Sequence, residues 1–268
     1  MPPPVVLTVA GSDNSAGAGI QADLKTFTHF RVFGQTVVTC VVAEVPGLVR
    51  AIQAIDPDNI RRQLELSLTY FPVRAIKTGM LYSAEIVHTV CRVLERVPLS
   101  DRPQIVVDPV MVASSGDLLL QADAIAAYRD RLIPLAALVT PNLDEMSTLH
   151  GDKIRNLKDL ERVGRELAKQ LGVPVLAKGG HLRGEQAIDV LIQSESVTQY
   201  TSVYYGQRST HGTGCTYSAA ITAGLALGQE LADAVAAAKV FVSGAIKESF
   251  CWKGRNGSIE ALKLFWVI

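Results

Sequence analysis

The residues best suited to chemistry stand in one short run, RSTHGTGCTYSAAITAGLALG, over positions 208–228. Gly212 and Gly214 bracket Thr213, Cys215 follows at once, and the chain then turns small and apolar. From Cys215 to about Leu227 it lacks proline and keeps an apolar stripe at helical spacing, which predicts a helix. Thr210 and Thr213 stand ahead of it as caps. The first N–H groups of a helix have no internal partner, and the dipole there favours negative charge. Glycines in the preceding loop let several N–H groups converge on one point, an anion hole. A cysteine on its rim would have a lowered pKa, because the thiolate is the form that the dipole favours. The run therefore offers an anion site with a base or nucleophile beside it. A glycine turn that merely starts a buried helix, with Cys215 as a small core residue, explains it equally well on its own. It is not a Walker A loop, since no Lys-Ser or Lys-Thr follows the glycines.

Other stretches carry charge or glycine where an apolar run stops. In IVVDPV, Asp108 ends the run and Pro109 biases it towards extended backbone. Asp108 is a candidate for holding a cation or a phosphate-bound Mg²⁺, with a helix cap as the competing reading. In TPNLDE, Asn142 and Glu145 are three apart, on one helix face. Taken alone that is a capped helix start. With Asp108 as a spatial neighbour, Glu145 would complete the carboxylates that magnesium takes alongside waters and phosphates. LAKGGHL places Lys178 at a strand end, a point charge for a phosphate or a solvated side chain. KTGM places Met80 at another, where core packing is the better account. Gly17-Ala18-Gly19-Ile20-Gln21-Ala22 fits G-x-G-x-x-A, with Glu44 after the next strand, which gives a nicotinamide oxidoreductase a claim. The spacing opposes it: SDNSA intervenes between Gly11 and Gly17, where a dinucleotide fingerprint turns tightly off the strand. A longer glycine loop, carrying Asp13 and leading to Asp23, suits closing over a small polar substrate.

These residues need a frame, and β-branched runs alternating with helical segments supply it. Strands are expected at 5–10, 35–43, 73–79, 104–110, 137–140 and 173–179, and helices at 19–30, 56–71, 83–97 and 156–172. AIDVLI and TQYTSVYY, split by QSESV, predict a hairpin at one edge. The fold class is α/β: a mostly parallel sheet with helices on both faces, as one domain over 1–268, with ligands beyond the C-terminal strand ends. Lys+Arg and Asp+Glu both total 26, so no nucleic-acid partner is expected and phosphate recognition must be local. No run reaches membrane-span length, because Lys239 interrupts AVAAAKVFVSGAI. MPPPVVLTVAGSD lacks the pattern of a signal peptide, and four dispersed cysteines read as reduced thiols, so the cytoplasm is expected.

In this order GSD…AGIQADLKTF, KTGM, VVDPVM, TPNLDE, KGGHL and THGTGCT resemble the hydroxymethylpyrimidine/phosphomethylpyrimidine kinases of thiamine biosynthesis, within the ribokinase-like superfamily. The resemblance runs from about Val5 to about Lys247, and THGTGCT and VDPVM are its most specific pieces. It implies ATP-dependent phosphorylation of 4-amino-5-hydroxymethyl-2-methylpyrimidine and of its monophosphate. It further implies that Cys215 is the base, that the N–H groups of Gly212, Thr213, Gly214 and Cys215 stabilise the transferring phosphoryl group, and that Gly11, Asp23, Glu44, Met80 and Val110 line the pyrimidine pocket. Asn142, Lys178, Thr213 and Lys239 would lie near the nucleotide, and Asp108 and Glu145 near Mg²⁺. Members are typically homodimers, sometimes aided by a monovalent cation.

Two stretches depart from the family. Where it has Ala-Gln-Asn-Thr, this chain reads Ala43-Glu44-Val45-Pro46-Gly47, and CWKGRNGSIEALKLFWVI lacks the usual Gly-His-Gly-Pro ending. An amide accepts and donates, whereas ionised Glu44 only accepts. A pyridoxal kinase with the same cysteine site is the alternative within the class. A pyrimidine- or pyridoxine-binding regulator without turnover is the alternative outside it.

Overall fold

Alternation within single strands sets the layers. In β1 (Val5–Asp13), Leu7 and Val9 join one core while Val6 joins another on the opposite face of the sheet. A strand buried on both faces needs cover on both, and the chain supplies it in βα order. The structure, a computed structural model, describes residues 1–111, 122–180, 182, 184–194, 196–205, 211–255 and 257–264. The expected cap Thr210 lies outside them.

After β1 come α1 (Gly19–His29), β2 (Phe33–Val45), β3 (Leu48–Ala54), α2 (Pro57–Tyr70), β4 (Val73–Thr78), α3 (Ala84–Arg96) and β5 (Gln104–Val107). Then follow α4 (Ala122–Ala127), β6 (Leu138–Val139), α5 (Leu143–His150), α6 (Leu157–Leu171), β7 (Val175–Lys178), β8 (Gln186–Gln193) and β9 (Ser196–Val203). The chain continues through α7 (Thr213–Ala226) and α8 (Leu231–Lys247) to a hairpin of β10 (Phe250–Gly254) and β11 (Gly257–Ala261). The main sheet runs β3-β2-β1-β4-β5-β6-β7-β8-β9. From β2 to β7 neighbours are parallel; β3, β8 and β9 add antiparallel edges. Helices α2, α3, α4, α5 and α6 cover one face, and α1, α7 and α8 the other. The α/β architecture with helices on both faces is the one that the alternation predicts, and the β8–β9 hairpin stands at the expected edge.

Strand β5 stops at Val107, three residues short of expectation, because the Val110 N–H folds back to the Asp108 carbonyl around Pro109. Strand β3 was not foreseen. Its residues are mostly exposed, so no burial pattern announces it, but Pro46-Gly47 is a turn signature and Gly47 has φ +84°. Helix α7 is buried on every side from Thr216 to Ala226, and its small residues let it lie against the sheet between α1 and α8.

Candidate active site

Consecutive βα units place their strand ends side by side, and the chain order reverses between β1 and β4. A crevice opens at such a switch point. Here it is a cavity of about 470 Å³, lined from β1 by Gly11 and Asp13, from β2 by Val42 and Glu44, from β4 by Lys77, and from the turn after β4 by Met80. Asp108, Val110, Asn142, Glu145 and Lys178 continue the wall, and Gly212, Thr213, Gly214 and Cys215 close it. Lys239 lies at the far side beside Asp189.

The turn before α7 leads directly into a helix N-terminus on the cavity wall, where backbone N–H groups can meet an anion. Gly212, not Thr213, is the N-cap, with φ +77°, and no side chain among the described residues caps the helix. Thr213 is instead the first helical residue, and its hydroxyl is buried without a hydrogen-bond partner among the described residues. The helix thus begins two residues before the expected start, which brings Thr213 and Gly214 into its first turn, where N–H groups lack helical acceptors. A Cβ at Gly212 would overlap the Gly17 carbonyl of the glycine loop. Gly212→Ala is therefore expected to cost about 1–3 kcal/mol of stability through backbone strain and roughly 10²–10³-fold in kcat through displaced N–H donors. Thermal denaturation and turnover measured on one preparation check both.

Cys215 is half-buried on this rim, and the Gly19 N–H points at its sulfur. The expected lowering of its pKa does not occur. Burial pushes the thiol up to about 11; Lys77 and Gly19 oppose that, while Asp23 and Asp108 reinforce it. Desolvation and two nearby carboxylates outweigh the helix terminus.

Asp108 is 1% exposed. It accepts from Lys178 Nζ at 2.9 Å and from Thr140 Oγ1 at 3.1 Å, and lies 3.1 Å from Ser218 Oγ. Burial would raise its carboxyl, but Lys178 and Lys77 hold it below the ordinary value. Lys178 Nζ stands beside the α7 N-terminus, 3.1 Å from where a Gly214 Cβ would be. Asn142 and Glu145 form a capping box at the start of α5, as their spacing alone suggests. Burial pushes Glu145 up to about 7, with Asp108 adding to it and Lys178 opposing. Asp108 and Glu145 share Lys178, while Lys77 is paired with Asp23, so the two buried carboxylates leave room for more positive charge, which fits a hydrated Mg²⁺ carried with phosphates.

Asp23 requires a correction: it does not line the cavity. It is fully buried beneath the floor, 2.9 Å from Lys77 Nζ through both oxygens and 2.6 Å from Thr8 Oγ1. Lys77, a lysine inside an apolar strand, is the group that reaches the cavity, and its period-two position in VRAIKT was the signal for it. The glycine loop is also not a pyrophosphate cradle. The N–H groups of Ser15, Gly17 and Ala18 all donate to Asp13, and His211 Nε2 lies 3.1 Å from it. Burial would raise the Asp13 carboxyl, but these partners bring it down to about 2. An internal carboxylate occupies the nest that a nicotinamide dinucleotide would need. Met80 and Val110 pack with Cys40 and Val42 as an apolar patch, and Gly11 is there because Cys40 Sγ would stand 2.8 Å from a Cβ. The missed Asp189 binds Lys239 Nζ at 2.6 Å and accepts from the Gly179 N–H.

The sequence model of the family described as phosphomethylpyrimidine kinase matches residues 13–260. The chain belongs to that family. As a phosphomethylpyrimidine kinase family member it is a phosphotransferase with a ribokinase-like fold. A hydroxymethylpyrimidine/phosphomethylpyrimidine kinase of Streptomyces coelicolor is 42% identical over 258 residues, 96% of this chain and 94% of the relative. Among solved structures, an ADP complex of Bacillus subtilis pyridoxal kinase superposes with TM-score 0.86 at 38% identity, covering 98% of both chains. A phosphomethylpyrimidine kinase from Clostridium difficile gives TM-score 0.78 at 41% identity, covering 90% of this chain and 99% of that one. No helix among the described residues is long and apolar enough to cross a membrane.

Proposed function

We propose that this kinase transfers the γ-phosphoryl group of ATP to the hydroxymethyl oxygen of 4-amino-5-hydroxymethyl-2-methylpyrimidine, and then phosphorylates the resulting monophosphate, for thiamine biosynthesis. One observation carries the reading: Cys215 and the open N–H groups of α7 share a cavity wall with Lys178, facing an apolar patch of Val42, Met80 and Val110. The ring sits on the apolar patch, and the hydroxyl meets Cys215. The phosphates lie between Lys178 and the α7 terminus, with the rest of the nucleotide towards Asn142 and Lys239. As the new O–P bond forms, the bond to the β-phosphate oxygen breaks, ADP leaves, and the hydroxyl proton passes to the Cys215 thiolate, which becomes the thiol. Asp108 and Glu145 would hold Mg²⁺, and the ion would supply charge neutralisation of the phosphates.

The ADP complex of the Bacillus relative supports an adenine nucleotide as co-substrate. Four free cysteines, Cys251 among them exposed, fit the reducing cytoplasm. Exposed Val41, Val45 and Leu48 on the β2–β3 edge give a second copy an apolar surface, in keeping with a homodimer. The test is ADP release with Mg²⁺-ATP against the pyrimidine alcohol, its monophosphate and pyridoxal. Turnover of both pyrimidines, well above pyridoxal, is the expected result. Turnover of pyridoxal alone would replace the substrate, and binding without ADP release would remove the enzyme activity itself.

A further inference from the structure

The ring end of the cavity contains two carboxylates, and they are not equivalent. Asp13 is saturated: three backbone N–H groups, the Ser15 hydroxyl and His211 occupy it. Glu44 lines the same cavity, and its carboxylate has no hydrogen-bond partner among the described residues. Its backbone is pinned. The β2–β3 register shifts between Ala43 and Glu44, and Asn14 Oδ1 accepts the Glu44 N–H at 2.7 Å. Charged or titratable neighbours come from three sides: Asp13 at the end of β1, His211 ahead of α7, and Cys40 along β2. On the opposing β3, Val49 is the register partner of Glu44, and Arg50, at the register shift, is exposed to solvent.

A 4-aminopyrimidine presents an amino N–H next to a ring nitrogen with a lone pair. An ionised carboxylate can accept from the amino group, but its second oxygen then faces the lone pair, acceptor against acceptor. One proton between them resolves the clash, whether it resides on the carboxyl or on the ring. We propose that Glu44 makes binding of the aminopyrimidine proton-linked: each substrate molecule enters with one proton, shared between Glu44 and the ring nitrogen beside the amino group. This rests on the substrate reading above. Burial, and after it Asp13, raise the Glu44 carboxyl above its ordinary value while His211 opposes them, so the site retains a proton more readily than an exposed glutamate.

Calorimetric titration of the intact protein with the pyrimidine alcohol, in buffers of different ionisation enthalpy between about pH 7 and 9, reads the proton count directly. The wild type is expected to take up about one proton per site, with Kd rising about tenfold per pH unit. Glu44→Gln is expected to bind with no uptake and a flat Kd, because an amide brings its own N–H. His211 and Asp13 remain in that variant, so uptake that persists there overturns the assignment to Glu44. Tight binding by the wild type without uptake overturns the proposal and leaves the substrate standing. Failure of both proteins to bind the pyrimidine overturns the substrate reading and the proposal with it.

Discussion

Cys215→Ala is expected to lower kcat by roughly 10²–10⁴-fold, the range for loss of a positioned general base, with little change in substrate or nucleotide dissociation constants. On the proposed reading the substitution removes the proton acceptor but none of the donors that would hold the phosphates, the backbone N–H groups of α7 and Lys178, all of which line the same cavity. The pH profile separates this role from a packing role. Because burial pushes the thiol up to about 11, the thiolate is the minor form at neutral pH. At saturating substrate, kcat should therefore climb with pH, by up to about tenfold per unit between pH 7.5 and 9. The variant should lose that climb. Full kcat in Cys215→Ala, or an unchanged pH slope, would take the sulfur out of the mechanism. Saturation matters, because the Glu44 linkage weakens binding over the same pH range and would mask the rise in kcat/KM.

Much of this site could be read before any coordinates, and the reason is topological. In a parallel βα sheet every strand end faces the same side. A charge or glycine that stops an apolar run, such as Asp108 or Lys178, is thereby placed at the crevice by its position in the pattern alone. What the pattern does not carry is depth. The sign of the Cys215 shift depends on how far burial and the carboxylates of Asp23 and Asp108 outweigh a helix terminus, and none of those distances is in the sequence.

Asp23 is a different case, because its burial was legible. Ile20, Asp23 and Phe27 recur at i, i+3 and i+7 along α1, and all three are buried. A carboxylate in that stripe faces the sheet and not the cavity. It implies a buried cation, and the one lysine inside β4 supplies it. The edge strand β3 and the β10–β11 hairpin were harder, since exposed strands impose little alternation on their residues. Thr213 misled as a cap because two glycines separated by one residue allow either to begin the helix, and the close approach of the Gly17 loop is what selects Gly212.

That buried pair yields the largest expected loss of stability. Lys77→Met nearly preserves length and volume, so packing changes little. What disappears is the cation facing a carboxylate that has no solvent exposure. Burial pushes Asp23 up against the pull of Lys77 and Thr8, and it would push Lys77 down but for Asp23. Removing one partner of such a pair costs about 3–5 kcal/mol. In the variant the folded protein holds a proton on Asp23 that the unfolded chain releases at neutral pH. The deficit should thus narrow as pH falls through the raised folded pKa. Adding Asp23→Asn removes the stranded charge and keeps an acceptor for Thr8, so the double variant should recover most of the denaturation midpoint. Equal losses in the single and double variants would assign the cost to packing. If the double variant folds yet loses turnover, the ammonium that reaches the cavity beside Cys215 has a second role, steadying the thiolate as it takes the substrate proton.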